Sequence, residues 1–198
     1  MRFTTVTVGL LFLFTVWANA NEEDVFRYPL GQETEQTFRA ACLRLAENPF
    51  TRGNFEQEKK LKRLGRSLKS SGNFLIASRL GMIWDTVKPF PSTLVLGSDF
   101  LIQSRPGAQR TLLSAQGNET FLRMAYVISA VFSGNAQGLV ENFQVYFSGA
   151  ASWEIGLIPL DKAINAFAQR MIIKGDQVIR SIEITEQNGD SALLVLWW

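Results

Sequence analysis

Two stretches of the chain carry apolar residues at helical spacing. Residues 33–47 form an amphipathic pattern that ends at Asn48-Pro49, and this predicts a helix of about four turns. Residues 118–135 show the same period with a wider apolar stripe, and their charges, Glu119 and Arg123, fall in the first turns. This second helix is unusually apolar for a helix at a protein surface. Shorter helices are predicted over residues 136–141 and 161–167.

Outside these stretches, apolar and polar residues alternate with a period of two. From Asn54 onward one side of the chain carries Phe55, Gln57, Lys59 and Leu61, whereas the other side is charged. This alternation predicts an antiparallel strand with one face in water.

A β-hairpin is predicted in NFLIASRLGMIWDT, which follows Ser70-Ser71-Gly72 and turns at Leu80-Gly81. If the loop has three residues, one face of the hairpin carries Phe74, Ile76, Met82 and Trp84. A two-residue loop would place Trp84 against Leu75 instead, because a shift of one residue turns every side chain to the other face. We expect the three-residue loop.

Strands continue from residue 92 to the end of the chain. The segment STLVLGSDFLIQS predicts two short strands with the inward residues Leu94, Leu96, Phe100 and Ile102. Five further strands follow residue 142, and their apolar positions include Phe143, Val145 and Trp153. Gly-Asp and Asn-Gly pairs between them are typical of tight hairpin turns. The pattern therefore predicts an α+β fold in which helices cover one face of an antiparallel meander.

The first twenty residues have the organisation of a secretory signal peptide. Arg2 precedes an apolar run, and Ala18-Asn19-Ala20 gives the small residues of a cleavage site. The run is shorter than the roughly 20 apolar residues that a spanning helix needs. We expect residues 1–20 to be removed and residues 21–198 to form a single domain outside the cytoplasm.

Charge and composition exclude several classes of function. The chain has 20 Lys and Arg against 18 Asp and Glu, a balance that does not indicate a nucleic-acid partner. It contains no His, so the commonest general base and metal ligand is absent. GxSxG, P-loop and GxGxxG motifs are also absent. A carboxylate pair, as in a carboxylate-based hydrolase, or a Ser-Lys dyad remains as a catalytic option, but no spacing singles out such a pair. We therefore expect no catalysis, no metal and no cofactor, and we expect Cys42 to be a small buried residue.

The aromatic content of 15 Phe and 5 Trp allows two interpretations. The side chains can fill an ordinary core, or they can line a hollow in a curved sheet that holds an apolar ligand. Enclosing a sixteen-carbon acyl chain would offset roughly 12 kcal/mol of unfavourable hydration. Periodicity alone leaves both interpretations open.

Several motifs in order resemble those of the periplasmic lipoprotein carriers, the LolA-like family, in a branch near its uncharacterised members. They are F-x-Q-x-K-x-L at Phe55–Leu61, Ser70-Ser71-Gly72-x-Phe74, Gly81-x-Ile83-Trp84-x-Thr86, Pro89-Phe90 and Asn188-Gly189-Asp190. The resemblance covers residues 35–197.

This resemblance implies an unclosed, curved antiparallel half barrel with an apolar concave face under lid helices. It implies a monomeric periplasmic carrier that takes acylated lipoprotein or another lipid from an inner-membrane donor transporter to an outer-membrane acceptor. The implied cavity residues are Phe74, Ile76, Met82, Trp84, Leu94, Leu96, Phe100, Ile102, Phe143, Val145 and Trp153. The implied lid residues are Leu122, Tyr126, Phe132 and Arg79.

One position departs from the family pattern. Classical carriers have an Arg on the strand before the Trp strand, where it binds lid backbone, but an ungapped match places Ser78 there and Arg79 beside it. Three alternatives remain for this position: a bulge turns Arg79 inward, this lid closes differently, or Arg79 is simply a solvated residue of the turn. A non-catalytic interaction module of an envelope assembly, with a packed interior, is the alternative function.

Overall fold

The computed structural model describes residues 24–48, 50–77, 80–97, 99–114 and 119–198, apart from the side chains of residues 113, 114 and 119–125. The predicted signal peptide lies outside these residues. Within the described ranges, no helix is long and apolar enough to cross a membrane.

The described chain contains four α-helices and eleven β-strands. The helices are α1 (Gln32–Ala46), α2 (Glu119–Phe132), α3 (Ala136–Asn142) and α4 (Lys162–Asn165). The strands are β1 (Phe50–Leu61), β2 (Arg66–Ala77), β3 (Gly81–Lys88), β4 (Ser92–Leu96), β5 (Phe100–Ser104), β6 (Thr111–Ser114), β7 (Phe143–Gly149), β8 (Trp153–Pro159), β9 (Arg170–Gly175), β10 (Ile179–Thr185) and β11 (Ser191–Trp197). Short 3-10 turns occupy Val25–Arg27 and Lys62–Leu64.

All eleven strands belong to one sheet, in the order β6-β5-β4-β3-β2-β1-β11-β10-β9-β8-β7. Every neighbouring pair is antiparallel. The order begins and ends on different strands, so the sheet is unclosed, and the predicted α+β half-barrel fold class is confirmed. The edge at β7 is covered because the amide of Leu30 donates to Val145 O and the amide of Phe147 donates to Tyr28 O, each at 2.9 Å.

The helices pack on one face of this sheet, which we call the inner face. Its buried cluster joins Phe38 and Cys42 of α1 and Val131 of α2 to strand residues such as Phe55 and Ile155. Phe38 meets Phe147 edge to face, with ring centroids 5.7 Å apart, an arrangement that aromatic pairs favour. One core therefore runs from the helices to strands on both sides of β11.

Cys42 is a buried residue of α1, as predicted. Burial raises the pKa of its thiol to about 12, and the nearby Arg39 offsets only part of that rise. The protonated thiol is therefore an inert part of the core at neutral pH.

Two strand boundaries and one whole strand differ from the sequence-based expectation. β1 begins at Phe50, four residues before the predicted start at Asn54. β2 begins at Arg66, so Ser70-Ser71-Gly72 lies inside the strand and does not interrupt it. A Cβ at Gly72 would stand 1.9 Å from Asp85 O, so this glycine permits the close approach of β3 where the register shifts. β6 was not predicted, because its four residues are too few to show a period.

Candidate functional site

The β2–β3 hairpin has the predicted three-residue loop. Ala77 pairs with Gly81, Ile76 with Met82 and Phe74 with Trp84, so all four predicted residues of the hairpin share the inner face. Phe74 and Ile76 are buried, whereas Met82 and Trp84 are only partly buried against the core. Burial thus decreases from β2 to β3.

Trp84 lies at the boundary between these two environments. Its ring stacks on Phe55 of β1 with centroids 4.0 Å apart, and on Phe74 with centroids 5.9 Å apart. Phe74 in turn meets the ring of Trp198 edge to face at 4.8 Å. Two aromatic rings, those of Phe55 and Phe74, therefore pack against the indole, and Trp198 supports Phe74. Part of the indole stays accessible.

The inner face continues onto β4 with reduced cover. Leu94 pairs with Trp84 and Leu96 pairs with Met82. Leu96 is buried in a small second cluster together with Met82, Leu101 and Ile128 of α2, while Leu94 is only partly buried. α2 therefore touches this part of the sheet and leaves apolar surface accessible beside the contact.

The prediction that Phe100 and Ile102 face inward with Leu94 and Leu96 is wrong. In the β4–β5 register Leu96 pairs with Leu101 and Val95 pairs with Ile102, which puts Ile102 on the outer face. A Cβ at Gly97 would touch the ring of Phe100, so Phe100 covers that glycine on the same outer side. Since residues 100–102 are all apolar, their alternation could not show which of them points inward.

Phe143, Val145 and Trp153 lie at the other end of the sheet, where the core is packed. Their exposed fractions are 2%, 6% and 1%. The indole nitrogen of Trp153 donates to Asp176 O at 2.8 Å, and the ring packs on Gly175. That these residues line a cavity stays a prediction.

Two of the four predicted lid residues can be located. Phe132 is partly buried against the main cluster. Tyr126 is 43% exposed, and its hydroxyl lies over Gly138 of α3. Arg79 and the side chain of Leu122 lie outside the described residues.

Sequence reasoning missed three residues of this site. Phe55 was on a predicted strand face, yet its partner across the sheet could not be read from the sequence. Leu101 gave no signal among its apolar neighbours. Ile128 stands seven residues after Phe121 and three after Ala125, so its position on the apolar stripe of the helix was a usable signal.

Polar groups border the inner face at the end of β1. Lys59 donates to Glu186 Oε1 at 2.6 Å, and both side chains are partly buried. Lys59 is therefore already neutralised by a partner within the fold, and it is less available to a charged ligand.

A groove with a volume of about 460 Å³ lies where β1, β2, β3 and β11 meet. Its lining includes Asn54, Ser71, Asn73, Val87 and Trp197, which point to the outer face in the register of these strands. It is distinct from the predicted cavity beneath the helices.

Comparison with known proteins gives structural neighbours only. No family model matches the chain, and no curated protein matches it. The chain is similar to a LolA superfamily protein from Nitrosomonas europaea at 10% identity and a TM-score of 0.41, over 81% of this chain and 91% of the other. It is similar to a putative outer membrane lipoprotein-sorting protein domain from Vibrio parahaemolyticus at 12% identity and a TM-score of 0.40, over 87% and 91%.

A third neighbour is a DUF1329 family protein from Desulfovibrio piger, at 8% identity and a TM-score of 0.42, over 82% of this chain and 90% of that one. The first of these neighbours belongs to the LolA superfamily, which the sequence motifs resemble, and the second is a putative lipoprotein-sorting domain.

Proposed function

We propose that the protein is a non-catalytic carrier of acyl chains, which bind on the inner face beneath α2. The observation that carries the proposal is the change in cover along one apolar face. It is buried at β7–β9 and only partly buried at Met82, Trp84 and Leu94. An acyl chain that lies along Met82, Trp84 and Leu94 would extend the buried core and leave the packing at β7–β9 unchanged.

The energetics favour an acyl chain as the occupant. Each methylene group removed from water contributes about 0.8 kcal/mol, so apolar area is what such a ligand needs. The stacked rings of Phe55 and Trp84 supply a rigid wall for it. The contact between Ile128 and Leu96 lies at the place where α2 would move to admit the ligand.

The carrier is proposed to work in the periplasm after removal of residues 1–20. Its proposed cargo is acylated lipoprotein or another lipid, with an inner-membrane donor and an outer-membrane acceptor. These assignments rest on the resemblance of the sequence motifs.

The test uses neighbouring residues of β4 that point to opposite faces. In Leu94→Glu a carboxylate stands beside Trp84, so uptake of a fluorescent fatty acid in vesicle-free solution should fall at least tenfold, because burying an unpaired charge is costly. Val95→Glu is the matched control, since Val95 pairs with Ile83 and Ile102 on the outer face. The control should bind like the parent protein.

Circular dichroism of both variants should give the spectrum of the parent protein, which checks that the fold is retained. Equal uptake by the two variants would contradict the proposed site. If the parent protein takes up no fatty acid and carries no lipid when purified without detergent, the alternative of an interaction module with a packed interior is correct.

A further inference from the structure

The turn between β1 and β2 carries the densest charge of the chain. Residues 60–69, KLKRLGRSLK, contain five Lys and Arg and no Asp or Glu, and we call them the basic tip. The five are Lys60, Lys62, Arg63, Arg66 and Lys69, and all are exposed. Among the described residues, only Lys69 has a carboxylate within 4 Å, at 3.9 Å from Glu58.

The basic tip extends past its neighbours in the sheet. β3 pairs with β2 only from Ser71 onward, and the last pair of β1 with β11 is Lys60 with Ser191. Residues 66–70 of β2 therefore run about 16 Å beyond the end of the β3 ladder. The charges stand where a large flat surface could reach them.

A buried carboxylate fixes the base of the tip. Asp190, 8% exposed, accepts hydrogen bonds from the Lys62 amide at 2.9 Å and from Asn188 Nδ2 at 3.1 Å. The stem of Lys62 also lies against Gly189. The β10–β11 turn thus positions the tip, so docking there needs little additional ordering.

Two leucines of the tip point into solvent. Leu64 is 67% exposed and Leu68 is 57% exposed. Gly65, with φ of 56°, closes the 3-10 turn that presents Leu64. A cationic turn with exposed apolar side chains has the two components that hold peripheral proteins on anionic bilayers.

The charge of the tip is part of a wider asymmetry. Residues 50–114 carry eleven Lys and Arg against four Asp and Glu, whereas residues 115–198 carry five against eight. Lys88, Arg105 and Arg110 stand at the same end of the sheet as the tip, because β1, β3 and β5 all run toward it. A negatively charged surface would therefore orient the whole protein with this end toward it.

We propose that the basic tip docks the protein on a bilayer that contains anionic phospholipid, with Arg63 and Arg66 at the headgroups and Leu64 inserted among the acyl chains. The inference rests on the exposure, charge and anchoring of the tip, and it does not depend on the proposed carrier function. The anionic lipid surface is favoured over an acidic protein because the leucines would find hydrocarbon just beneath the phosphates.

The experiment is co-sedimentation of the protein with unilamellar vesicles. The parent protein should bind vesicles of phosphatidylglycerol and phosphatidylcholine, bind phosphatidylcholine alone weakly, and dissociate in 0.5 M salt. Arg63→Gln with Arg66→Gln should lower the partition coefficient roughly 30-fold, because each cation near an anionic surface contributes about 1 kcal/mol. Leu64→Ser should lower it roughly tenfold.

The matched controls make the same kinds of substitution away from the tip. One removes two cations, and the other removes one exposed apolar side chain. Arg27→Gln with Arg52→Gln removes two exposed cations, and Phe50→Ser removes a side chain as exposed as Leu64, at 69%, from the other end of β1. Both controls should bind within about threefold of the parent, since they lie beyond the Debye length from the docked surface.

Three results would overturn the proposal. The first is that the parent protein does not bind anionic vesicles at low salt. The second is that the tip variants bind like the parent. The third is that the arginine variant loses binding while Leu64→Ser loses none. An acidic protein partner would give the first of these. Fatty-acid uptake without vesicles should be normal in the tip variants, so this inference and the carrier function fail separately.

Discussion

The two ends of the inner face differ in cover although they belong to one sheet. At β7–β9, Phe143, Phe147, Trp153 and Ile155 are at most 2% exposed, and α1, α3 and α4 lie over them. At β3–β5 the inner residues are mostly half-buried, and the contact with the helices is made by α2 through Ile128. An apolar pattern in the sequence therefore does not indicate how deeply the residues of a sheet face are buried by the helices.

For the proposed carrier, this difference in cover indicates where an acyl chain would enter at the lowest energetic cost. Displacing α1 would expose a thiol and several aromatic rings that are now fully buried. Moving α2 would also expose buried side chains, Val131 and Leu96 among them, but they are aliphatic, and Met82 and Leu94 beside Leu96 already meet solvent. The packed end can thus hold the fold while the other end changes. Charge follows the same division, because the β1–β6 stretch is basic and the remainder is acidic.

The largest expected effect is at the packed end. Trp153→Ala should lower the free energy of unfolding by about 3–5 kcal/mol, since it leaves a large cavity and removes the donor to Asp176 O. Urea unfolding measures the change. Trp153→Phe retains most of the ring packing, so it should lower the free energy of unfolding clearly less than Trp153→Ala does. A loss below about 1 kcal/mol in Trp153→Ala would show that this end is not the rigid one.

A smaller loss is expected for the same substitution at the boundary. Trp84→Ala removes the stack on Phe55 and Phe74 from a partly buried site, so the free energy of unfolding should fall by about 2 kcal/mol. Fatty-acid uptake should fall at the same time, as fluorescence titration would show. If this variant is as unstable as Trp153→Ala, Trp84 belongs to the packed core and the two ends do not differ.

The sequence predicted much of the fold where alternation was clear. In NFLIASRLGMIWDT, apolar residues and the glycine of the loop determine both the turn and the shared face of Phe74 and Trp84, and the structure confirms them. α1 follows from its stripe and from Asn48-Pro49 in the same way. A local pattern is enough to predict an element when its polar residues follow as regular a spacing as its apolar residues.

The remaining features depend on contacts between distant parts of the chain. Phe100, Leu101 and Ile102 are all apolar, so only pairing with β4 selects Leu101 for the inner face. Gly72 resembled a break, but it is required where Asp85 approaches. The sequence indicated which residues of the candidate site are apolar. How deeply each of them is buried depends on where the helices pack.

At the border between the two ends, the anchoring of the basic tip can be tested separately. Asp190→Ala should lower the free energy of unfolding by about 1–2 kcal/mol, because the amide of Lys62 loses its acceptor. Hydrogen exchange at Lys62 should accelerate, and exchange in β8 should not change. Asp190→Asn, which keeps an acceptor oxygen, should restore most of the protection. Unchanged exchange in Asp190→Ala would mean that the turn holds the tip by other contacts.

The smallest effect is a pH dependence at the packed end. The folded pKa of Cys42 is raised to about 12 from an ordinary 9.0, so the stability that depends on the protonated thiol is complete below pH 9 and is lost as the pH rises toward 12. Between pH 8 and pH 10 the free energy of unfolding should fall by about 1.4 kcal/mol more than in Cys42→Ala. Urea unfolding of both proteins at the two pH values gives the difference, and the pH response that the two proteins share cancels. An equal pH response would mean that α1 leaves the sheet readily enough to expose the thiol, and α1 would then be as mobile a cover as the one proposed for α2.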